Sequence, residues 1–163
     1  RRYYQRAQQL APANGYVANN YGAFLCGLGQ YGEAHQQFKL ANAAPESDAR
    51  QDVLLISGYC YLQAGNEAAG RKLLLQALET APEQGNWLLE EGERQLMQPA
   101  GNRLSVLLEL YHQRLPATAE SLWLQIRFAA QQGNAADVTR YGDRLARSFP
   151  QSIQYQRYLA NEY

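Results

Sequence analysis

Small and apolar residues recur along the chain at helical spacing, and they do so twice in the same order. Ala34, Phe38 and Ala41 stand four and three residues apart, which places them on one helical face. Gly70, Leu74 and Ala77 repeat that spacing 36 residues later. Upstream of each set, Tyr21-Gly22-x-x-Leu25 matches Ser57-Gly58-x-x-Tyr61 at the same offset. Gly29 and Gly65 lie between, and Pro45 and Pro82 close each stretch. Glycine and proline punctuate helices, so each stretch reads as two helices joined by a tight turn. Gly22 and Gly58 let the first helix approach the second closely, and Ala34, Ala41 and Ala77 do the same from the other side. Phe38, Leu74 and Tyr31 fill the gaps between them.

Two weaker copies follow. One has a first helix from about Trp87 to Met97, with Gly92 as its small residue, a turn at Gln98-Pro99-Ala100-Gly101-Asn102, and a second helix to Leu115. The other runs from Glu120 through Trp123 and Arg127 to a turn at Gln132-Gly133-Asn134, with Ile126 at the small position. Gly133 and Pro150 are 17 residues apart, as are Gly65 and Pro82. Aligned, the units follow the tetratricopeptide pattern W-x2-L-G-x2-Y, A-x3-F and P, with Ala18 and Leu54 where the leading Trp would stand. One such unit cannot bury its own apolar face, but stacked neighbours can. Residues 1–13 read as the second helix of an incomplete repeat, 15–45, 50–82, 85–115 and 119–150 as complete repeats, and 152–163 as a capping helix opened by Ser152. The expected fold is all-α, a right-handed tetratricopeptide superhelix without strands.

Composition narrows the function. Lys plus Arg is 15 and Asp plus Glu is 15, so there is no basic footprint for nucleic acid or for an anionic membrane surface. Mean hydropathy is −0.51, and no apolar run approaches the ~20 residues of a membrane span. The chain opens at Arg1-Arg2-Tyr3-Tyr4 without Met, which leads us to expect a preceding segment carrying any export or lipid signal. His35 and His112 lie in no zinc motif, and His35, near a helix start, is expected to face solvent or a loop. No phosphate-binding loop or nucleophile elbow occurs. Glu90-Glu91-x-Glu93 reads as a solvated face with Arg94 neutralising one carboxylate. No catalysis, cofactor or metal is expected.

Cys26 lies four residues after Gly22, and Cys60 two after Gly58. Two residues along a helix is about 200° of rotation, so the thiols sit on nearly opposite sides of equivalent helices. In a stack they face one another and can form a bridge in an oxidising compartment. The alternative is two small buried thiols.

The inner face of the first helices carries Asn19, Ala23 and Cys26, then Leu55, Tyr59 and Leu62, then Leu89, Glu93 and Leu96, then Trp123, Arg127 and Ala130. Such a mixture of apolar, aromatic and cationic residues suits a protein-binding strip. Asn19, Ala23, Leu55, Tyr59, Leu62, Trp123 and Arg127 are the candidates, with Arg127 placed to bond a partner's carboxylate or carbonyl. The bland alternative is that Trp123 merely covers the adjacent repeat.

Asn19-Asn20-Tyr21-Gly22-Ala23-Phe24-Leu25-Cys26, Gly29-Gln30-Tyr31-x-Glu33-Ala34 and Ser57-Gly58-Tyr59-Cys60-Tyr61-Leu62-x-Ala64-Gly65 resemble the PilF/PilW family of type IV pilus biogenesis proteins. So do Glu120-Ser121-Leu122-Trp123-Leu124-x-Ile126-Arg127 and Phe149-Pro150-x-Ser152, while the turn after Met97 departs from the family pattern. The resemblance implies an outer-membrane lipoprotein facing the periplasm, a pilotin that helps the secretin PilQ, or other pilus assembly proteins, to localise and assemble. It implies a lipidated cysteine before Arg1, no membrane contact beyond that anchor, and a compartment that permits the Cys26–Cys60 bridge. Two other readings are a tetratricopeptide co-chaperone adaptor and a regulatory segment of a larger protein. The adaptor needs a basic clamp on the inner face, and the first two complete units lack one.

Overall fold

The computed structural model describes residues 1–45, 47–98 and 103–163, without the side chains of 47–49 and 51. Among the described residues all regular structure is helical. The chain forms two compact units, Arg1–Gln84 and Gly85–Tyr163. The first holds α1 (Arg2–Leu10), α2 (Gly15–Gly27), α3 (Tyr31–Asn42), α4 (Ser47–Gln63) and α5 (Glu67–Thr80), then a single 3-10 turn at Pro82–Gln84. The second holds α6 (Gly85–Leu96), α7 (Leu104–Arg114), α8 (Ala119–Gln131), α9 (Ala135–Ser148) and α10 (Ile153–Leu159). The expected turn at Gln98–Asn102 falls, from 99 to 102, outside the described residues.

Among the described residues, side-chain caps mark the starts of five helices, α2, α5, α8, α9 and α10. Asn14 Oδ1 accepts from the Tyr16 and Val17 amides at 2.9 and 3.2 Å. Asn66 and Asn134 cap α5 and α9 alike, accepting from Ala69 and Asp137 at 3.3 and 3.1 Å. Thr118 and Ser121 form a reciprocal capping box at the start of α8. Ser152 opens α10 by accepting from the Tyr155 amide at 3.1 Å. Gly29, Gly65 and Gly133 have φ of 76°, 88° and 70°, the left-handed conformation that ends a helix most easily at glycine.

In the first unit, α2 packs on α3 and α4 on α5 through small residues. A Cβ on Gly22 would stand 2.5 Å from the Phe38 ring, and one on Gly70 would stand 2.7 Å from Leu62 and 2.8 Å from the Gly58 carbonyl. Ala34, Ala41, Leu74 and Ala77 have no exposed surface. Tyr4 of α1 stacks on Tyr21 with centroids 5.4 Å apart. Cys26 of α2 and Cys60 of α4, 34 positions apart in sequence, are joined by a disulfide with Cα atoms 5.9 Å apart. The bond ties the first helices of two successive pairs.

The second unit uses the same device. Gly92 of α6 makes room for Leu124 of α8 and Leu104 of α7, and Gly142 of α9 lies against the Tyr158 ring of α10. Leu122, Ile126 and Leu145 are fully enclosed between α8 and α9.

Gly22→Leu and Gly70→Leu are each expected to lower stability by about 1–3 kcal/mol through overpacking. Gly27→Ala adds a Cβ that meets nothing within 4 Å, and it is expected to stabilise α2 by at most about 1 kcal/mol. Urea melts followed by circular dichroism check all three. Reduction of the disulfide should raise the intact mass by about 2 Da. In the chain-entropy model it should also cost roughly 3–4 kcal/mol of stability, read as a lower midpoint in the same melt.

Candidate functional site

The face expected to bind a partner is more buried than its sequence suggested. In the first unit Asn19, Leu55 and Leu62 are only 5 %, 4 % and 1 % exposed. Asn19 and Cys26 are seven residues apart on one stripe of α2, and Cys26 is bonded to α4, so Asn19 turns inward. Its Oδ1 is buried without a hydrogen-bond partner. Leu55 and Leu62 are likewise seven apart on α4, and Leu62 lies against Gly70 of α5. These three side chains build the fold; they do not offer surface. Ala23 is exposed and Tyr59 half-buried, so these two remain at the surface of that stripe.

In the second unit Trp123 is 5 % exposed, in keeping with a residue that covers its neighbours. The Arg127 guanidinium carbon lies 5.3 Å above the Trp123 ring centroid, a cation–π arrangement. Arg127 Nη1 donates to Glu93 Oε2 at 2.9 Å, and Nη2 contacts the other Glu93 oxygen. A forked pair of this kind is among the stronger ion pairs. Arg127 was expected to reach a partner's carboxylate, but here it ties α8 to α6 within its own unit. Gln131 Nε2 adds a bond to the Leu96 carbonyl at 2.9 Å. Beside this pair, Asn86, Leu89, Glu90, Glu93 and Glu120 line a cleft of about 400 Å³. The carboxylates Glu90 and Glu93 had read as solvated surface; Glu120, contributed by α8 across the cleft, carried no signal in the local sequence. Glu91 pairs with Arg94 through a 2.7 Å bond from Nε.

The histidines have structural environments. His35, expected to face solvent or a loop, is half-buried, and its ring stacks on Tyr61 of α4 with centroids 4.1 Å apart. Burial, with Lys39 as a smaller cause, lowers its pKa from the ordinary 6.5. His112 Nδ1 lies 3.0 Å from the Leu108 carbonyl and Nε2 lies 3.0 Å from Ser121 Oγ. The ring thereby links α7 to the capping box of α8. Burial lowers its pKa; the bond to the Leu108 carbonyl opposes that shift and Arg144 adds to it. Among the described residues no group of His, Cys, Asp and Glu is arranged to hold a metal ion, and no helix is long and apolar enough to cross a membrane.

Both lowered values fix the sign of the pH dependence. A base whose pKa is depressed by folding binds protons more readily in the unfolded chain. The contribution of the two rings is complete above the unfolded value of about 6.5 and is lost as pH falls toward their folded values. The melting temperature is expected to fall between pH 7 and about 5.5, before carboxylates titrate appreciably. A His35→Gln, His112→Asn variant should show a flatter profile over the same window.

No family model matches the chain. The type IV pilus assembly protein PilF of Pseudomonas aeruginosa is 27 % identical over 159 residues, covering 98 % of this chain and 63 % of PilF. The chain therefore spans less than two thirds of that relative. A solved structure of P. aeruginosa PilF superimposes with a TM-score of 0.53 at 28 % identity, over 97 % of this chain and 71 % of the other. PilW, described as a widely conserved type IV pilus biogenesis factor, superimposes with a TM-score of 0.59 at 25 % identity, over 96 % and 72 % of the two chains. Sequence and fold agree along nearly the whole chain: it is similar to the type IV pilus biogenesis proteins PilF and PilW and shares their all-α tetratricopeptide fold.

Proposed function

We propose that the chain is a non-catalytic, protein-binding assembly factor of type IV pilus biogenesis, working at the cell envelope. The observation that carries this reading is the similarity to PilF over 98 % of the chain. In its finer form the protein is a pilotin-like lipoprotein on the periplasmic face of the outer membrane, held by a lipid on a segment preceding Arg1. Its partner is then an outer-membrane secretin of the PilQ type, whose localisation and multimer assembly it assists. An oxidising periplasm also suits the Cys26–Cys60 bond.

The partner surface is built around what the first helices leave exposed. In the first unit these are Ala23 and Tyr59, whereas Asn19, Leu55 and Leu62 are buried. In the second, Trp123 and Arg127 hold Glu93 at the edge of the acidic cleft. Tyr59 supplies ring area, and the cleft selects against an acidic partner segment. The carboxylate-clamping adaptor is disfavoured by the same residues, because Arg127 is already engaged by Glu93.

The test uses the full-length protein in detergent-solubilised outer membranes. Secretin is expected to co-purify with it. Truncating a hot-spot aromatic typically costs about 2 kcal/mol or more, roughly a thirtyfold loss of affinity. A Tyr59→Ala variant that keeps its melting temperature should lose secretin by that measure. Normal secretin multimers and pili in cells carrying Tyr59→Ala with Glu93→Gln would remove both surfaces from the reading. Absence of any secretin in the wild-type preparation would remove the partner.

A further inference from the structure

Between α7, α8 and α9 lies a cavity of about 540 Å³, within the range of about 300–1,000 Å³ usual for ligand sites. The first unit shows what occupies the equivalent place there. Buried Ala34, Phe38 and Ala41 of α3 correspond to buried Leu104, Leu108 and Tyr111 of α7, which puts Ser105 in register with His35. The positive-φ Gly65 and Gly133, each followed by a capping asparagine, align α4 with α8 and put Ala129 in register with Tyr61. In the first unit His35 and Tyr61 stack face to face. In the second, both rings are replaced by small side chains, and both of these border the cavity.

The remaining lining is suited to a ring with a polar tip. Leu108, Phe128 and Tyr141 supply apolar and aromatic surface. Gln125 Oε1, on a lining residue, is buried and has no hydrogen-bond partner, so a donor placed there would relieve a desolvated acceptor. Glu109 and Asp137 also border the space and oppose a carboxylate.

We propose that this cavity is a recognition site for an aromatic side chain carrying a hydrogen-bond donor, a tyrosine or tryptophan presented by an exposed segment of a partner protein. The ring takes the place that His35 and Tyr61 fill in the first unit, and its hydroxyl or indole N–H bonds Gln125. The proposal does not depend on the partner being a secretin.

N-acetyltyrosinamide and N-acetylphenylalaninamide serve as probes in ¹⁵N-resolved NMR titrations of the protein. The tyrosine amide should give saturable shifts at Ser105, Ala129 and Gln132, with a dissociation constant of about 1 mM. The phenylalanine amide, lacking the donor, should bind several-fold more weakly. A Ser105→His, Ala129→Tyr variant restores the ring pair of the first unit and should abolish the shifts. Ser105→His alone, at an exposed position, should weaken them and guards against misfolding of the double variant. Three results overturn the proposal: no saturable shift in the wild type, shifts unchanged in Ser105→His, or equal binding of both amides. Self-association that Ser105→His abolishes would also overturn it, because the occupant would then be a second copy of the chain.

Discussion

The structure depends on how closely paired helices approach. Gly22 under the Phe38 ring, and Gly58 facing Gly70 and Leu74, hold the paired helices at distances that an added Cβ would crowd. Close approach lets aromatic and leucine side chains from one helix seat against the backbone of the next, where dispersion contacts are densest. Each pair then has a fixed geometry, and the capping asparagines and positive-φ glycines need only stop the helices at the right residue. The disulfide acts on top of this packing. It can bridge α2 and α4 because both are already held at a separation that suits a bond between their cysteines.

Much of this was legible in the sequence. The glycine spacing gave the helix pairs, and Ser152 gave the start of α10, because a cap and a turn act through residues adjacent in the chain. The rotation of Cys26 against Cys60 placed the thiols toward one another through the repeat register, which relates helices far apart in the chain. The reading of exposure was less successful. Helical periodicity says which residues share a stripe but not how many neighbours that stripe meets. Leu55, Tyr59 and Leu62 share one, yet both leucines are buried, Leu62 against Gly70 of α5, while the tyrosine is half open. Arg127 looked available because its carboxylate partner, Glu93, lies 34 residues away. Ion pairs between helices leave no local signal.

Similarity to known proteins and surface chemistry answer different questions here. Similarity to PilF and PilW runs along the whole chain and fixes the architecture. It does not select a face, because fold and binding site vary separately in helical repeat proteins. Burial does part of that selection. Residues that hold one helix pair to another cannot also contact a partner, which leaves a half-open tyrosine, an acidic cleft and the cavity walled by α7, α8 and α9.

The covalent link between α2 and α4 also changes what damage to the chain means. The backbone from Gly27 to Tyr59, with the α2–α3 turn and all of α3, lies inside a loop closed by the Cys26–Cys60 bond. A protease that cuts once in this loop severs the chain without dividing the molecule. Both fragments stay attached and α3 keeps its place between its neighbours, so the nick is visible only after reduction. In a compartment containing proteases, the bond thus makes a single cleavage survivable across about a fifth of the chain.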